Sequence, residues 1–239
     1  MSVHKKTIIK DRSGITYTFR EDKPRIVASN SIYVTEENPE IYIKVIKHPS
    51  LLEHTSEHAF IKGKIEHELK TAKMLSNNFL PVPHVYYTKI DIDNEYITGY
   101  IVMDRIKGRI ISSQKVFDRY FDKILAVLND LLEIGIIYED MNINNFIIGE
   151  DDEVYVIDFE ETIPVSTDSR VVKRTKEGTL SLNETYIETN LKKSIEMRKK
   201  YRMDGSPKSS PRKHKNTKRS HSRSPSKTAK RSHSQSPEK

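Results

Sequence analysis

The chain has 239 residues, 35% of them hydrophobic and 31% charged, with no Cys and no Trp. That content suffices for one sizeable core, or one domain of two lobes plus a tail; it excludes disulfides and thiolate chemistry and points to a reducing compartment. The net charge of +7 averages two unlike parts: residues 205–239 hold eleven Lys or Arg against one acid, Glu238, hence +10, and the remaining 30 basic and 33 acidic residues give −3.

The N-terminal stretch MSVHKKTIIKDRSG contains no long apolar run, so a secretory signal is not expected. No apolar run in the chain is long enough to span a bilayer. A soluble intracellular protein, cytoplasmic or nuclear and without a membrane partner, is the expectation.

In chain order, GITYTF (14–19) alternates as a strand does. RIVASNSIYV (25–34) and EIYIKVIK (40–47) read as two strands joined by the polar turn TEENP. The segment from Leu51 to Asn78 reads as a helix, with apolar residues at Phe60, Ile61, Ile65, Leu69, Met74 and Leu75. Pro81 and Pro83 then enforce extended backbone. YITGYIVMDRIKG is a strand running into a turn at Gly108. The strongest helix pattern covers 116–135, with Phe117, Phe121, Ile124, Leu125, Leu128, Leu131 and Leu132 on one face and Gly135 as its stop. FIIG and EVYVID follow as short strands around the turn EDDE, and NETYIETNLKKSIEMRKKYR reads as a last helix. This order predicts an α+β fold of two lobes: β-rich over about 1–103, a hinge at about 104–108, and a short helical lobe over about 109–203.

Residues 204–239 are different. They lack large apolar side chains, so they cannot bury enough surface to offset the entropy of ordering, and a disordered basic tail is expected. The tail contains a near-repeat, KRSHSRSP at 218–225 and KRSHSQSP at 230–237, and Ser-Pro steps at Ser206, Ser210, Ser224 and Ser236. Its composition suits binding to nucleic acid or to an acidic partner, which would show as a steep salt dependence that phosphorylation weakens. The blander reading is a solubilising end.

The stretch from Gly135 to Glu161, GIIYEDMNINNFIIGEDDEVYVIDFEE, carries an Asp, an Asn five positions on, and another Asp at the end of an apolar strand. Phosphoryl transfer needs a carboxylate to orient and deprotonate the acceptor hydroxyl, hard oxygen ligands for Mg²⁺, and a cation on the phosphates. Asp140, Asn145 and Asp158 are such oxygen donors, and a hairpin between the last two would return them to one place. The bland reading, in which Asp140 and Asn145 cap turns, fits poorly with the apolar run IIY before them.

YEDMNINNF resembles the catalytic loop of the protein kinases, H-R-D-x-x-x-x-N. The resemblance places the catalytic Asp at Asp140 and a metal-binding Asn at Asn145. VIDFEE resembles the D-F-G strand end, with Asp158 as second metal ligand. IYIKV resembles the strand bearing the phosphate-contacting Lys, here Lys44, and KIEHELKTAKML the helix whose Glu pairs with it, here Glu68. YIVMDRIKG resembles the hinge that grips adenine, around Asp104 to Ile106. The family order holds over nearly the whole body. HELKTAKMLSNNFLPVPHVYY and KHPSLLEH further resemble the kinase subunit of the KEOPS complex and, more distantly, the RIO kinases. The resemblance implies an ATP- and Mg²⁺-dependent serine/threonine kinase acting on a protein substrate, with an activating protein partner.

Several positions depart from that pattern. Tyr138 stands where His is usual, Glu139 where Gly or Arg is usual, and Asn142 where a Lys or Thr holds the transferring phosphate. Glu160 replaces the Gly of D-F-G, as in small-molecule kinases of the choline and aminoglycoside type. VASNSIY has no Gly, no A-P-E-like segment follows Glu161, and TDSRVVKR, which resembles the start of the supporting helix, has Val172 in place of a buried Asp. Two alternatives follow: a small-molecule hydroxyl kinase, and a pseudokinase scaffold with a nucleic-acid-binding tail.

Overall fold

The computed structural model describes residues 6–21, 24, 26–27, 30–50 and 55–205. The tail expected over 204–239 therefore lies outside the described residues, apart from its first two positions.

The chain begins with a hairpin of β1 (Lys6–Lys10) and β2 (Thr16–Arg20). Its turn is chemically determined: the Asp11 carboxylate accepts from the amides of Ser13 and Ile15, each at 2.9 Å, and Gly14 takes the left-handed φ of +89°. No strand was expected at β1, because within KTIIK only Ile9 is buried.

A five-stranded antiparallel sheet follows, in the order β3 (Ile26–Val27), β4 (Ser31–Val34), β5 (Ile41–Pro49), β7 (Tyr96–Asp104) and β6 (Val85–Ile92). The single strand expected over 25–34 is two strands. They pair with each other antiparallel, Ile26 opposite Ile32 and Val27 opposite Ser31. The central pairing of β5 with β7 is unbroken from Ile41 opposite Asp104 to Pro49 opposite Tyr96.

Strand alternation sends side chains to both faces, and both are covered. On one face, Tyr33, Ile43 and Val102 pack against Ile9, Tyr17 and Phe19 of the β1–β2 hairpin, with the Phe19 and Tyr33 rings 4.7 Å apart. On the other, Ile46, Ile97 and Ile101 meet Ile65, Leu69, Ala72 and Leu75 of α1 (Thr55–Asn77). Gly99 makes this approach close. A Cβ there would lie 2.5 Å from Ile65 Cγ2. Lys44 lies on the α1 face between these apolar residues.

The chain leaves β7 through residues 105–107 and enters β8 (Gly108–Ile110). Next comes α2 (Gln114–Glu133), whose N-cap Ser113 accepts from the Val116 amide. It ends before Gly135, at φ +87°, and buries Phe117, Tyr120, Ile124, Val127, Leu128 and Leu131. Beyond it lie β9 (Ile136–Tyr138), a 3-10 turn (Ile143–Asn145), β10 (Phe146–Gly149) and β11 (Val154–Val156). β10 is the middle strand between β8 and β11. β12 (Thr162–Pro164) pairs back onto β9.

The helix start expected at TDSRVVKR is instead a hairpin, β13 (Val172–Arg174) with β14 (Leu180–Leu182), turning at Gly178 with φ +85°. The β-branched side chains of Val171, Val172, Thr175 and Thr179 suit a strand better than a helix, and Gly178 supplies the turn. The last helix, α3 (Glu184–Gly205), buries Ile187, Leu191 and Ile195 at four-residue spacing. Among the described residues, no helix is long and apolar enough to cross a membrane.

Candidate active site

Three elements bring the first cluster together. β5 supplies Lys44, α1 supplies Glu68, and the segment just after β11 supplies Asp158. Lys44 Nζ donates to Glu68 Oε1 at 2.5 Å and to Asp158 Oδ1 at 2.9 Å. Lys44 and Glu68 are 6% and 1% exposed, so this is a buried ion pair and not a surface one. Burial works against the Lys44 charge, but the Glu68 and Asp158 carboxylates outweigh it and raise the pKa above the usual lysine value. Lys44 therefore keeps its proton at neutral pH. Asp158 has φ +70°, a left-handed conformation that a non-glycine residue holds at a cost of order 1 kcal/mol or more, and such strain clusters at functional sites.

The catalytic-loop candidates form the second cluster. Asn145 ends the 3-10 turn, and its Nδ2 donates to Asp140 Oδ2 at 2.7 Å. The hairpin of β10 and β11 returns the chain, and the Ile157 amide donates to the Asn145 carbonyl at 2.9 Å. Asp140, Asn145 and Asp158 are thus neighbours despite their separation in sequence. The Asp140 carboxyl is raised above the usual aspartate range by partial burial and by the Asp158 and Glu160 carboxylates, against the opposing Asn145 bond.

Tyr138, at the usual His position, is buried, and its hydroxyl donates to the Ile157 carbonyl at 3.1 Å. It ties β9 to the segment after β11 that leads into Asp158. Asn142 faces away from phosphate work. Its Oδ1 accepts from the Asn144 amide at 3.1 Å and from Ser194 Oγ of α3 at 3.0 Å, while Ser194 Oγ accepts from the Ile143 amide. This brace from α3 gave no signal in the sequence, because its partners lie 52 positions apart with no shared periodicity.

The cluster offers hard oxygens. Glu68, Asp158 and Glu160 each place a carboxylate oxygen within 4.8 Å of the others. With its amide nitrogen given to Asp140, Asn145 keeps its carbonyl oxygen as an acceptor. Such a donor set fits Mg²⁺. Glu160 also pairs with Lys64 of α1 at 3.6 Å, and His67 Nε2 meets the Thr162 carbonyl at 2.8 Å, so α1 is joined to the segment after Asp158 at two points.

The hinge candidates lie elsewhere. Asp104 and Ile106 line a cavity of about 650 Å³ together with Leu80, Val82 and Tyr155, and none of Lys44, Glu68, Asp140, Asn145 or Asp158 lines it. The Asp104 carboxylate accepts from Tyr86 Oη at 2.6 Å. Arg105 stacks over the ring of Tyr42, 5.9 Å from its centroid, and Tyr42 is two residues before Lys44 on β5.

No protein-family model matches the chain, and no curated protein matches it. Solved structures do. A 2.2 Å crystal structure of WbdD is similar with a TM-score of 0.45 and 17% identity, covering 63% of this chain and 34% of that one. Among the described residues the fold is α+β, with a five-stranded sheet in the N-terminal half and helices α2 and α3 in the C-terminal half. A structure of monomeric WbdD has a TM-score of 0.45 at 16% identity, covering 68% of this chain and 45% of that one. A third, described as the bifunctional kinase-methyltransferase WbdD, has a TM-score of 0.42 at 16% identity, covering 57% and 30%. The chain thus spans less than half the length of these structures.

Proposed function

We propose that the chain is an ATP- and Mg²⁺-dependent phosphotransferase that phosphorylates a hydroxyl, of the serine/threonine protein kinase type. The observation that carries this reading is the Lys44–Glu68–Asp158 cluster, at 2.5 and 2.9 Å, beside Asp140 held by Asn145 at 2.7 Å. Lys44, positioned by Glu68, would hold the α- and β-phosphates. Asn145 and Asp158 would hold Mg²⁺, which when bound neutralises charge on the phosphate oxygens. Backbone groups around Asp104 and Ile106 would face adenine. Asp140 takes the acceptor's proton as the acceptor oxygen bonds to the γ-phosphorus. The bond from that phosphorus to the bridging oxygen breaks, and its electron pair leaves with ADP.

The test is phosphate transfer from labelled ATP by native protein, Asp140→Ala and Lys44→Ala. Loss of the carboxylate should cost about 10²- to 10⁴-fold in kcat. Native protein no more active than the variants would leave the pseudokinase reading. One observation favours a second reading, a small-molecule kinase: Glu160 adds a carboxylate beside Asp158 where D-F-G has Gly. Label on small alcohols and never on protein would select it. The KEOPS-like stretches belong to the same proposal and imply an activating partner; full activity of the purified monomer would remove that part.

A further inference from the structure

A second cavity, of about 630 Å³, opens beside the catalytic-loop candidates and is separate from the Lys44 cluster. Its walls come from four places. Glu139 adjoins Asp140, Glu161 precedes β12, Asp168 and Arg170 belong to the loop before β13, and Tyr186 lies in the first turn of α3. Three carboxylates therefore face one guanidinium among the described lining residues. The excess negative charge extends inward, since Asp140 and Glu160 are close enough to raise the Glu161 carboxyl further above its usual range than burial alone does.

The walls are fixed. The Glu139 amide donates to the Glu161 carbonyl at 2.9 Å, extending the pairing of β9 with β12 by one step to these two residues. The Asn183 amide donates to the Val171 carbonyl at 2.7 Å, and Asn183 Nδ2 donates to the Arg170 carbonyl at 3.1 Å, so the 168–171 loop is tied to the start of α3. None of these three bonds uses a carboxylate oxygen of Glu139, Glu161 or Asp168.

Resting on the phosphotransferase reading, we propose that this cavity selects the acceptor: a Ser or Thr in a polypeptide flanked by Lys or Arg, whose cationic side chains meet Glu139, Glu161 and Asp168 while the hydroxyl lies at Asp140. Carboxylates in a partly enclosed cleft raise the local concentration of cations and orient them. The volume exceeds what a small amino alcohol fills and accommodates a long side chain with part of its backbone. The chain itself carries a segment of the required chemistry, KRSHSRSP at 218–225. That sequence serves as the probe.

The experiment uses the full chain and three acceptors: the synthetic peptide KRSHSRSP, its counterpart with Ala at every basic position, and ethanolamine. The basic peptide should be used at least ten-fold better in kcat/KM than the Ala peptide. Asp168→Asn, on an exposed loop, should raise the KM for the basic peptide about three-fold, and the Glu161→Gln/Asp168→Asn pair about ten-fold, with kcat and the Ala peptide unaffected. Equal use of both peptides, preference for ethanolamine, or an unchanged KM in the pair overturns the proposal. Fluorescence anisotropy of the labelled basic peptide without nucleotide separates this from failure of the enzymatic reading. Salt-sensitive binding that the pair abolishes supports the cavity even if no phosphate is transferred, and absence of binding to a transferring enzyme rejects it.

Discussion

Lys44 and Asp140 show how charge at this site trades stability against chemistry. Removing one partner of a buried ion pair strands the other, so Lys44→Met should destabilise the protein by about 3–5 kcal/mol, because the Glu68 carboxyl is left buried without its partner. The double variant Lys44→Met/Glu68→Leu should recover most of that loss in denaturant melts while remaining inactive. A double variant no more stable than the single would show that the pair is not the origin of the cost. Asp140 behaves oppositely. Its pKa is raised in the folded protein, so the folded state holds that proton more tightly than the unfolded state does, and stability falls as pH rises through the window above 3.8. Asp140→Asn should therefore melt higher than native protein at pH 7, by about 1–2 °C after allowing for solvent screening at a half-exposed group. The difference should vanish near pH 3, where both carboxyls are protonated; a gain that persists there would assign it to another cause.

At the scale of elements, the position of α1 decides whether Glu68 reaches Lys44, and Gly99 sets how closely that helix lies on β7. Gly99→Ala would press a methyl against Ile65 Cγ2, found 2.5 Å from an ideal Cβ, and should cost about 1–3 kcal/mol. It should also lower kcat before it unfolds the protein; normal activity in a folded, destabilised variant would mean that α1 shifts without breaking the pair. Much of this arrangement was legible in the chain, for physical reasons. Lys44, Glu68, Asp140, Asn145 and Asp158 fall in a recognisable order, and the strands and helices beside them have clean periods of two and near four. What was not legible lacks a local period. KTIIK buries one side chain, the short runs IV and SIYV lie too close together to read as two strands, and the hairpin at 172–182 occupies a stretch where a short apolar run fits either structure. The Ser194 brace on Asn142 and the walls of the acidic cavity depend on residues tens of positions apart, which only the folded chain brings together.

Across the whole molecule, charge and burial divide the chain differently. Charge separates residues 1–204, at −3, from a basic segment at +10, and composition alone shows it. Burial makes a distinction that composition hides. The β1–β2 hairpin lies before any residue of the candidate site and supplies none of them, so a search for kinase-like motifs would treat it as dispensable. Yet Ile9, Tyr17 and Phe19 are each 5% exposed or less and cover Tyr33, Ile43 and Val102. A fragment beginning after Arg20 would keep every proposed catalytic group and present that sheet face to water as an adhesive patch. Such a fragment should self-associate at concentrations where the full chain sediments as a single species; a monodisperse fragment would count against the hairpin's covering role. The first 20 residues would then decide the solubility of a site to which they contribute no atom.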